Sequence, residues 1–147
     1  MTEPTTPQAR LSDDGLRLTL VLSAPPRHGR PPAHRSLPGR ALVNSDGRIR
    51  SLEISLVEVD PEQQVRTSLI PKIRWKEKAA PAGLAVDHGR KALIFTFDSG
   101  APGSGEEPKQ LDRRSFVADF ELNEERELAV IHIRFTRMGV AHPPRLR

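Results

Sequence analysis

Hydrophobic and polar residues alternate over most of this chain, in short segments bounded by residues that favour turns. In segment 16–24, Leu18 and Leu20 fall on one face of an extended chain, while Arg17 and Thr19 fall on the other. A period of two residues is that of a β-strand with one buried face. The pattern therefore predicts a half-buried strand in this segment.

Segment 40–60 contains two alternating arms around the sequence NSDG and predicts a β-hairpin. Gly47 suits the left-handed backbone position that such a turn requires. The inward face of the second arm begins with Leu52 and then moves to Val57 and Val59. This change of phase predicts a β-bulge near the end of the arm.

Three later regions repeat the alternation. Segment 65–79 predicts an edge strand, because Pro71 has no N–H group to give to a central ladder. Segment 91–98 predicts a further strand. Segments 114–122 and 127–138 predict a hairpin closed by the turn NEER.

A helix over residues 117–129 is the alternative for the last hairpin, since the turn contains good helix formers. Alternation continues on both sides of that turn, which favours the hairpin. The inward positions of all segments together give the expected core, which consists of Leu18, Leu20, Leu52, Ile54, Trp75, Phe95, Phe97, Phe116, Phe120, Ile131 and Ile133.

Six or seven strands with regular turns and no convincing helix predict an all-β fold. The antiparallel pattern fits either a β-sandwich (Ig-like or jelly-roll-like) or a partly open barrel. The expected organisation is a flexible N-terminal tail over 1–15, one β-rich domain over 16–138 and a basic C-terminal tail over 139–147.

Length and composition narrow the class of protein. A chain of 147 residues has the length of a single domain and can bury a core without a disulfide or metal. It has no cysteine, which removes disulfides and thiolate chemistry. The first ten residues do not read as a secretory signal, and no apolar run is long enough to insert in a membrane. We therefore expect a cytoplasmic protein.

The segment APPRHGRPPAHRSLPGR, residues 24–40, holds five prolines and four arginines. Proline removes N–H donors, so we expect this backbone to stay outside any central strand. A stiff segment loses little entropy when it docks, and arginine offers forked donors to carboxylates. The segment is therefore expected to be a docking arm, with Arg30 and Arg35 as polar anchors and Leu37 as the apolar anchor.

The chain is basic, with a net charge of +4, and 18 of its 23 basic residues are arginine. Residues 25–50 carry six arginines against Asp46 alone, and segment 72–76 adds a second basic stripe. Such surfaces bind acidic partners or nucleic-acid backbones, although a GC-rich genome also enriches arginine. The expected partner- or anion-binding residues are Arg27, Arg30, Arg35, Leu37, Arg40, Arg48, Arg50, Lys72, Arg74 and Lys76.

No pattern in the chain predicts catalysis, a metal or a cofactor. The GxSxG motif is absent, and the adjacent Asp87 and His88 are an exposed turn rather than a base with its partner. The histidines lack metal-ligand spacing, and the glycine-rich sequence SGAPGSG leads into acidic residues, which would repel a phosphate. We expect no catalytic, cofactor-binding or metal-binding residues and no small-molecule ligand.

Three hypotheses follow from these observations. The leading one is a non-enzymatic β-sandwich that acts as a structural or protein-interaction module, a subunit of a larger assembly that docks through segment 24–40. Its partner would be another protein or a second copy of the chain. The alternative is a basic protein that binds the backbone of nucleic acid, and the third is an enzyme of unrecognised type.

Overall fold

The computed structural model describes residues 8–22, 33–60, 62–74, 84–97 and 111–144. It shows an all-β protein in which a large, curled antiparallel sheet forms a half-barrel. The strands are β1 (Gln8–Leu11), β2 (Arg17–Val21), β3 (His34–Val43), β4 (Ile49–Ser55), β5 (Val57–Val59), β6 (Arg66–Ser68), β7 (Leu84–Asp87), β8 (Ala92–Thr96), β9 (Asp112–Leu122) and β10 (Leu128–Phe135).

Eight strands form the large sheet in the order β1-β2-β10-β9-β3-β4-β8-β7, and β5 pairs with β6 in a separate two-stranded sheet. The predicted all-β class is confirmed. The described part of the chain has ten strands rather than six or seven, because short strands such as β1 and β5 carry too few residues to show a period. The half-barrel is closer to the partly open barrel than to the sandwich.

The core lies on the inner face of the curled sheet. Leu18 and Leu20 of β2 are fully buried, and so are Leu52 and Ile54 of β4. Trp75 lies outside the described residues, and the other ten predicted core residues are all buried. Burial of large aliphatic and aromatic side chains contributes about 1.5–3 kcal/mol each, so this shared inner face holds the sheet in its curl.

Two hairpin turns use the same side-chain device. Asn44 follows β3, and its Oδ1 accepts hydrogen bonds from the N–H groups of Asp46 and Arg48. Asn123 follows β9, and its Oδ1 accepts hydrogen bonds from the N–H groups of Glu125 and Glu127. An asparagine that binds its own backbone in this way favours a turn over a helix. Both predicted hairpins are confirmed, and the helix over 117–129 is wrong.

The half-barrel has two ends, which we name after the residues of β4. The C-terminal segment crosses the Ile49 end: the N–H of Val140 donates to the carbonyl of Gly15 and that of Ala141 to Gly47, each at 3.0 Å. Residues 8–15 and 139–144 were assigned to tails in the sequence analysis. In the structure, residues 8–15 form β1 and its turn, and residues 139–142 pack against the sheet.

The Ser55 end is crossed by the segment that follows β4. After the β5–β6 hairpin, a 3₁₀ helix (Ile70–Lys72) leads to Arg74, whose N–H donates to the carbonyl of Arg126 in the β9–β10 turn at 2.8 Å. Leu69 and Ile73 are buried on this path. The segment therefore joins β4 to the far side of the sheet.

Two strand predictions are wrong in this region. Within residues 65–74, the predicted edge strand is a three-residue strand followed by the 3₁₀ helix, because the fixed φ of Pro71 suits the first turn of a helix. Residues 75–79 lie outside the described part of the chain. The bulge near Val57 and Val59 is a break between β4 and β5, and the side chain of Val59 is 52% exposed. The alternation of inward and outward residues changes there because β5 pairs with β6 in a separate sheet.

The prediction for segment 24–40 is wrong over residues 34–40. These residues begin β3, a central strand that pairs with β9 on one side and, from Gly39 onward, with β4 on the other. Pro38 lies one residue before the β4 ladder starts and just after a β-bulge, positions at which strands tolerate proline. Residues 24–32 lie outside the described part of the chain.

Among the described residues, no helix has the length and apolar character needed to cross a membrane.

Candidate functional site

A half-open groove of about 500 Å³ lies at the Ser55 end of the half-barrel. Its walls are the first half of β3, the β5–β6 hairpin and the turn between β7 and β8. We call it the β3–β5 groove. The groove brings together segments that are distant in sequence, so no local pattern in the chain predicts it.

A β-bulge in β3 shapes one wall. His34 lies opposite Phe120 and Leu37 lies opposite Ala118, so three steps along β3 match two along β9. The extra residue keeps both His34 and Leu37 buried and leaves the two residues between them exposed. A bulge re-aims side chains in this way, and here it directs Arg35 outward.

The bulge is held by a contact with β9. Ser36 adopts a left-handed backbone with φ of 57°, and its N–H donates to Oδ1 of Asp119 at 2.9 Å. A non-glycine residue in this region costs free energy, which the bond to the aspartate offsets. Arg35 and Ser36 both line the groove as a result.

Three cations from three elements line the groove: Arg35 of β3, Arg66 of β6 and Lys91 after the β7–β8 turn. Each is exposed, and none forms an ion pair with a carboxylate of a described residue. The adjacent Arg90, in contrast, is paired with Glu53. The groove therefore has an excess of positive charge.

The position of Lys91 is fixed by its backbone. Its carbonyl accepts a hydrogen bond from the N–H of Leu56 at 2.8 Å, and its φ is 51°. The lysine therefore lies beside Leu56, the residue between β4 and β5. Its side chain lines the groove together with Arg35.

One carboxylate, Glu58, is among the groove-lining residues that the structure describes, and it is engaged. Its Oε2 lies 2.9 Å from Nδ1 of His34, whose side chain is 10% exposed. This contact connects β5 to the first residue of β3. One carboxylate against three cations leaves the described lining of the groove with an excess of positive charge.

Two serine hydroxyls add hydrogen-bond donors. Oγ of Ser55 accepts from the N–H of Val57, and Oγ of Ser68 accepts from the N–H of Ile70, each at 3.3 Å. A hydroxyl that accepts in this way still has its own hydrogen to donate. The groove is therefore rich in donors, which suits a ligand with acceptor groups.

Of the residues predicted to bind a partner, Arg35 and Leu37 lie in this groove. Leu37 is only 1% exposed because it packs into the core, which leaves little of its side chain for the predicted role of an apolar docking anchor. Arg27, Arg30 and Lys76 lie outside the described residues.

The other predicted residues are dispersed. Arg40 is exposed on the outer face, opposite Glu53 in the ladder. Arg48 and Arg50 lie at the Ile49 end, where Arg50 is half-buried. The structure does not gather these arginines into one surface.

In the described part of the predicted basic stripe, residues 72–74, the chain does not form a strand face. Lys72 is exposed in the 3₁₀ helix, and Arg74 is exposed beside the β9–β10 turn. Sequence reasoning missed Arg66 and Lys91, which carry no signal beyond their charge. Only the pairing of distant strands brings them together.

A second cationic feature lies on the outer face of the sheet. Arg17 of β2 is directly opposite Arg134 of β10, and Arg10 of β1 is opposite Thr19, two residues along β2 from Arg17. Like charges at directly opposed positions destabilise a sheet. Neither Arg17 nor Arg134 has an ion pair among the described residues.

Within the described part of the chain, no three His, Asp or Glu side chains lie close enough together to hold a metal ion. Comparison of the chain with protein-family models, with curated proteins and with solved structures gave no match.

Proposed function

We propose that this chain is a non-enzymatic, cytoplasmic protein-interaction module and a subunit of a larger assembly, and that it docks through the Ser55 end of the half-barrel. The observation that supports this most strongly is the excess of unpaired cations in the β3–β5 groove. Arginine and lysine held at a concave surface bind carboxylates of a partner, and they do so better when no internal carboxylate competes.

Segment 24–40 belongs to the same docking region. Its described part supplies Arg35 to the groove wall. The two residues that flank the undescribed stretch 23–32 are Leu22, bonded to Ala129, and Ala33, bonded to Phe120. Both attachment points are at the Ser55 end, and Ala33 directly precedes β3, the strand that forms one wall of the groove.

The experiment is site-specific photo-crosslinking in cells. A photo-reactive amino acid at position 66, on the groove, is expected to give a discrete product with one protein, either a partner or a second copy. The matched control is position 96, an exposed residue at the far end of β8. Equal products from both positions, or none from position 66, would reject docking at the groove.

A deletion separates the arm from the groove. Residues 24–32 are replaced by a short Gly/Ser linker, which leaves β3 intact from His34 onward. We expect the β-type circular dichroism spectrum to persist and the crosslinked product from position 66 to decrease. An unchanged yield would mean that the stretch is only a connector.

The outer-face arginines favour a second candidate, binding to the backbone of nucleic acid. Arg17 and Arg134 lie opposite each other and neither forms a close ion pair with a described residue, as expected of a surface kept positive for an external polyanion. Such binding is sequence-independent and falls steeply with salt. A variant with both arginines changed to alanine would then bind duplex DNA more weakly, with a salt slope reduced by about 0.9 per lost phosphate contact.

A further inference from the structure

The β3–β5 groove lies along an open strand edge. Residues Arg35–Pro38 have β9 on one side, but β4 pairs with β3 only from Gly39 onward. On that open side the groove separates β3 from β5. A chain segment in extended form is the shape that fits beside a strand edge.

The edge itself offers few main-chain donors. The N–H of Ser36 is already bonded to Asp119, and Pro38 has no N–H. A bound segment would therefore gain little from main-chain pairing with β3. Side chains must supply most of the affinity, which makes the groove selective for the chemistry of its ligand.

The polar side chains of the groove favour a ligand that carries carboxylate groups. Arg35, Arg66 and Lys91 are donors only, and the hydroxyls of Ser55 and Ser68 keep a hydrogen to donate. Arg35 and Arg66 can each hold a carboxylate through two parallel N–H bonds. Because the cations come from three different walls, they suit acidic groups spaced along a chain better than one compact anion.

The apolar part of the lining distinguishes a peptide from other anions. Pro38, Val57 and Val59 line the groove together with the cations. Val65, which directly precedes β6 in the same hairpin, is 51% exposed. Free phosphate gains nothing from these side chains. Single-stranded nucleic acid is bound largely by stacking on aromatic side chains, and none lines the described groove.

We infer that the β3–β5 groove binds an extended acidic segment of a partner protein, with carboxylates on Arg35, Arg66 and Lys91 and the intervening apolar side chains on the valines of the β5–β6 hairpin. This inference rests on the proposed function and names the partner's chemistry. His34 and Glu58 hold the far wall of the groove in place.

The test uses the full chain and a fluorescein-labelled hexapeptide that alternates glutamate and valine. Fluorescence anisotropy is expected to show binding that weakens as salt is added, because the charges are exposed. The same peptide with lysine in place of glutamate is expected not to bind. A duplex DNA that displaces the acidic peptide would overturn the inference, as would free phosphate that displaces it at equal concentration.

The variant is the double substitution Arg35→Ala and Arg66→Ala. We expect at least a tenfold loss of affinity. The control is Arg17→Ala with Arg134→Ala, which removes the same charge from the outer face and should change affinity by less than twofold. Equal losses in the two variants would show that only net charge matters and would overturn the inference.

A charge reversal gives an independent reading. Arg66→Glu is expected to abolish binding of the glutamate peptide and to permit binding of the lysine peptide, since Arg66 is exposed and its change leaves the ladder of β6 intact. If the parent protein binds no glutamate peptide while position 66 still crosslinks to a protein in cells, the proposed function stands and the acidic class is wrong. If the parent protein binds no glutamate peptide and position 66 gives no crosslinked product, the proposed function and the acidic class of partner are both wrong.

Discussion

Nδ1 of His34 lies 2.9 Å from Oε2 of Glu58, and the contact joins the first residue of β3 to the centre of β5. The two residues are 24 positions apart in the chain. His34 is buried and Glu58 is partly exposed, so the carboxylate faces the groove while the ring anchors it. The pair therefore joins two walls of the groove to each other.

The first prediction concerns that carboxylate. Glu58→Gln removes a negative charge from the groove and keeps an oxygen and a nitrogen able to bind the ring of His34. Affinity for the glutamate–valine peptide is expected to rise several-fold at low salt, because one source of repulsion is lost. Anisotropy titrations measure the change. Weaker binding by the variant would mean that Glu58 contacts the ligand rather than opposing it.

The second prediction concerns the tight contact between Gly39 and Phe116. A Cβ at Gly39 would clash with Cε1 of the ring and would lie 2.8 Å from the carbonyl oxygen of Glu53. Gly39→Ala should therefore lower the free energy of unfolding by about 1–3 kcal/mol through overpacking. The control is Gly89→Ala, where the nearest atom is 3.5 Å away and stability should hold or rise slightly. Urea unfolding measures the free energy of unfolding of both variants. Equal values for Gly39→Ala and Gly89→Ala would contradict the prediction of overpacking at Gly39.

The third prediction concerns the C-terminal segment. Val140 is 6% exposed and belongs to the core, whereas Met138, two residues earlier, is 60% exposed. Val140→Ala should cost about 1–3 kcal/mol of unfolding free energy, from lost burial and the cavity left behind. Met138→Ala should change it by less than about 0.5 kcal/mol. If the two variants unfold at the same urea concentration, the segment does not close the Ile49 end.

The fourth prediction concerns the β1–β2 turn. The Ser12 hydroxyl donates to Oδ1 of Asp14, the N–H of Leu16 donates to the same oxygen, and Arg17 adds a weaker attraction. These contacts favour the ionised form and lower the pKa of Asp14. The stabilisation is complete above the ordinary pKa of an aspartate and is lost as pH falls through the lowered value.

NMR titration of the Asp14 carboxyl carbon checks the direction of this shift. In the parent chain the midpoint should lie below that of an unperturbed aspartate. Ser12→Ala should raise the pKa towards the ordinary value, because the hydroxyl makes the largest contribution. A midpoint that is the same in both proteins would show that the hydroxyl bond does not form in solution.

Local alternation predicted those parts of the fold that local chemistry controls. The faces of β2, β9 and β10 follow from a period of two, and Asn44 and Asn123 bind their own turns. The proline rule failed at residues 34–40, because whether Pro38 disturbs a ladder depends on where β4 begins to pair. That boundary is set by the whole sheet.

The candidate site was predictable only in part. Arg35 was identified from charge, but the bulge that exposes it depends on the hydrogen bond between Ser36 and Asp119, which are 83 positions apart. Arg66 and Lys91 come to the same groove through the β5–β6 hairpin and the β7–β8 turn. Long-range pairing of this kind leaves no trace in a single sequence.

The most direct test of docking at the groove is a map of amide shifts in an ¹H–¹⁵N NMR spectrum as the glutamate–valine peptide is added. The account predicts shifts at Arg35, Leu37, Arg66 and Lys91, together with the residues of β5, and no shift on the outer face of β2 and β10. Shifts confined to Arg17, Arg134 and their neighbours would contradict it and would favour the polyanion surface. An unchanged spectrum at saturating peptide would reject the groove as a site for acidic segments.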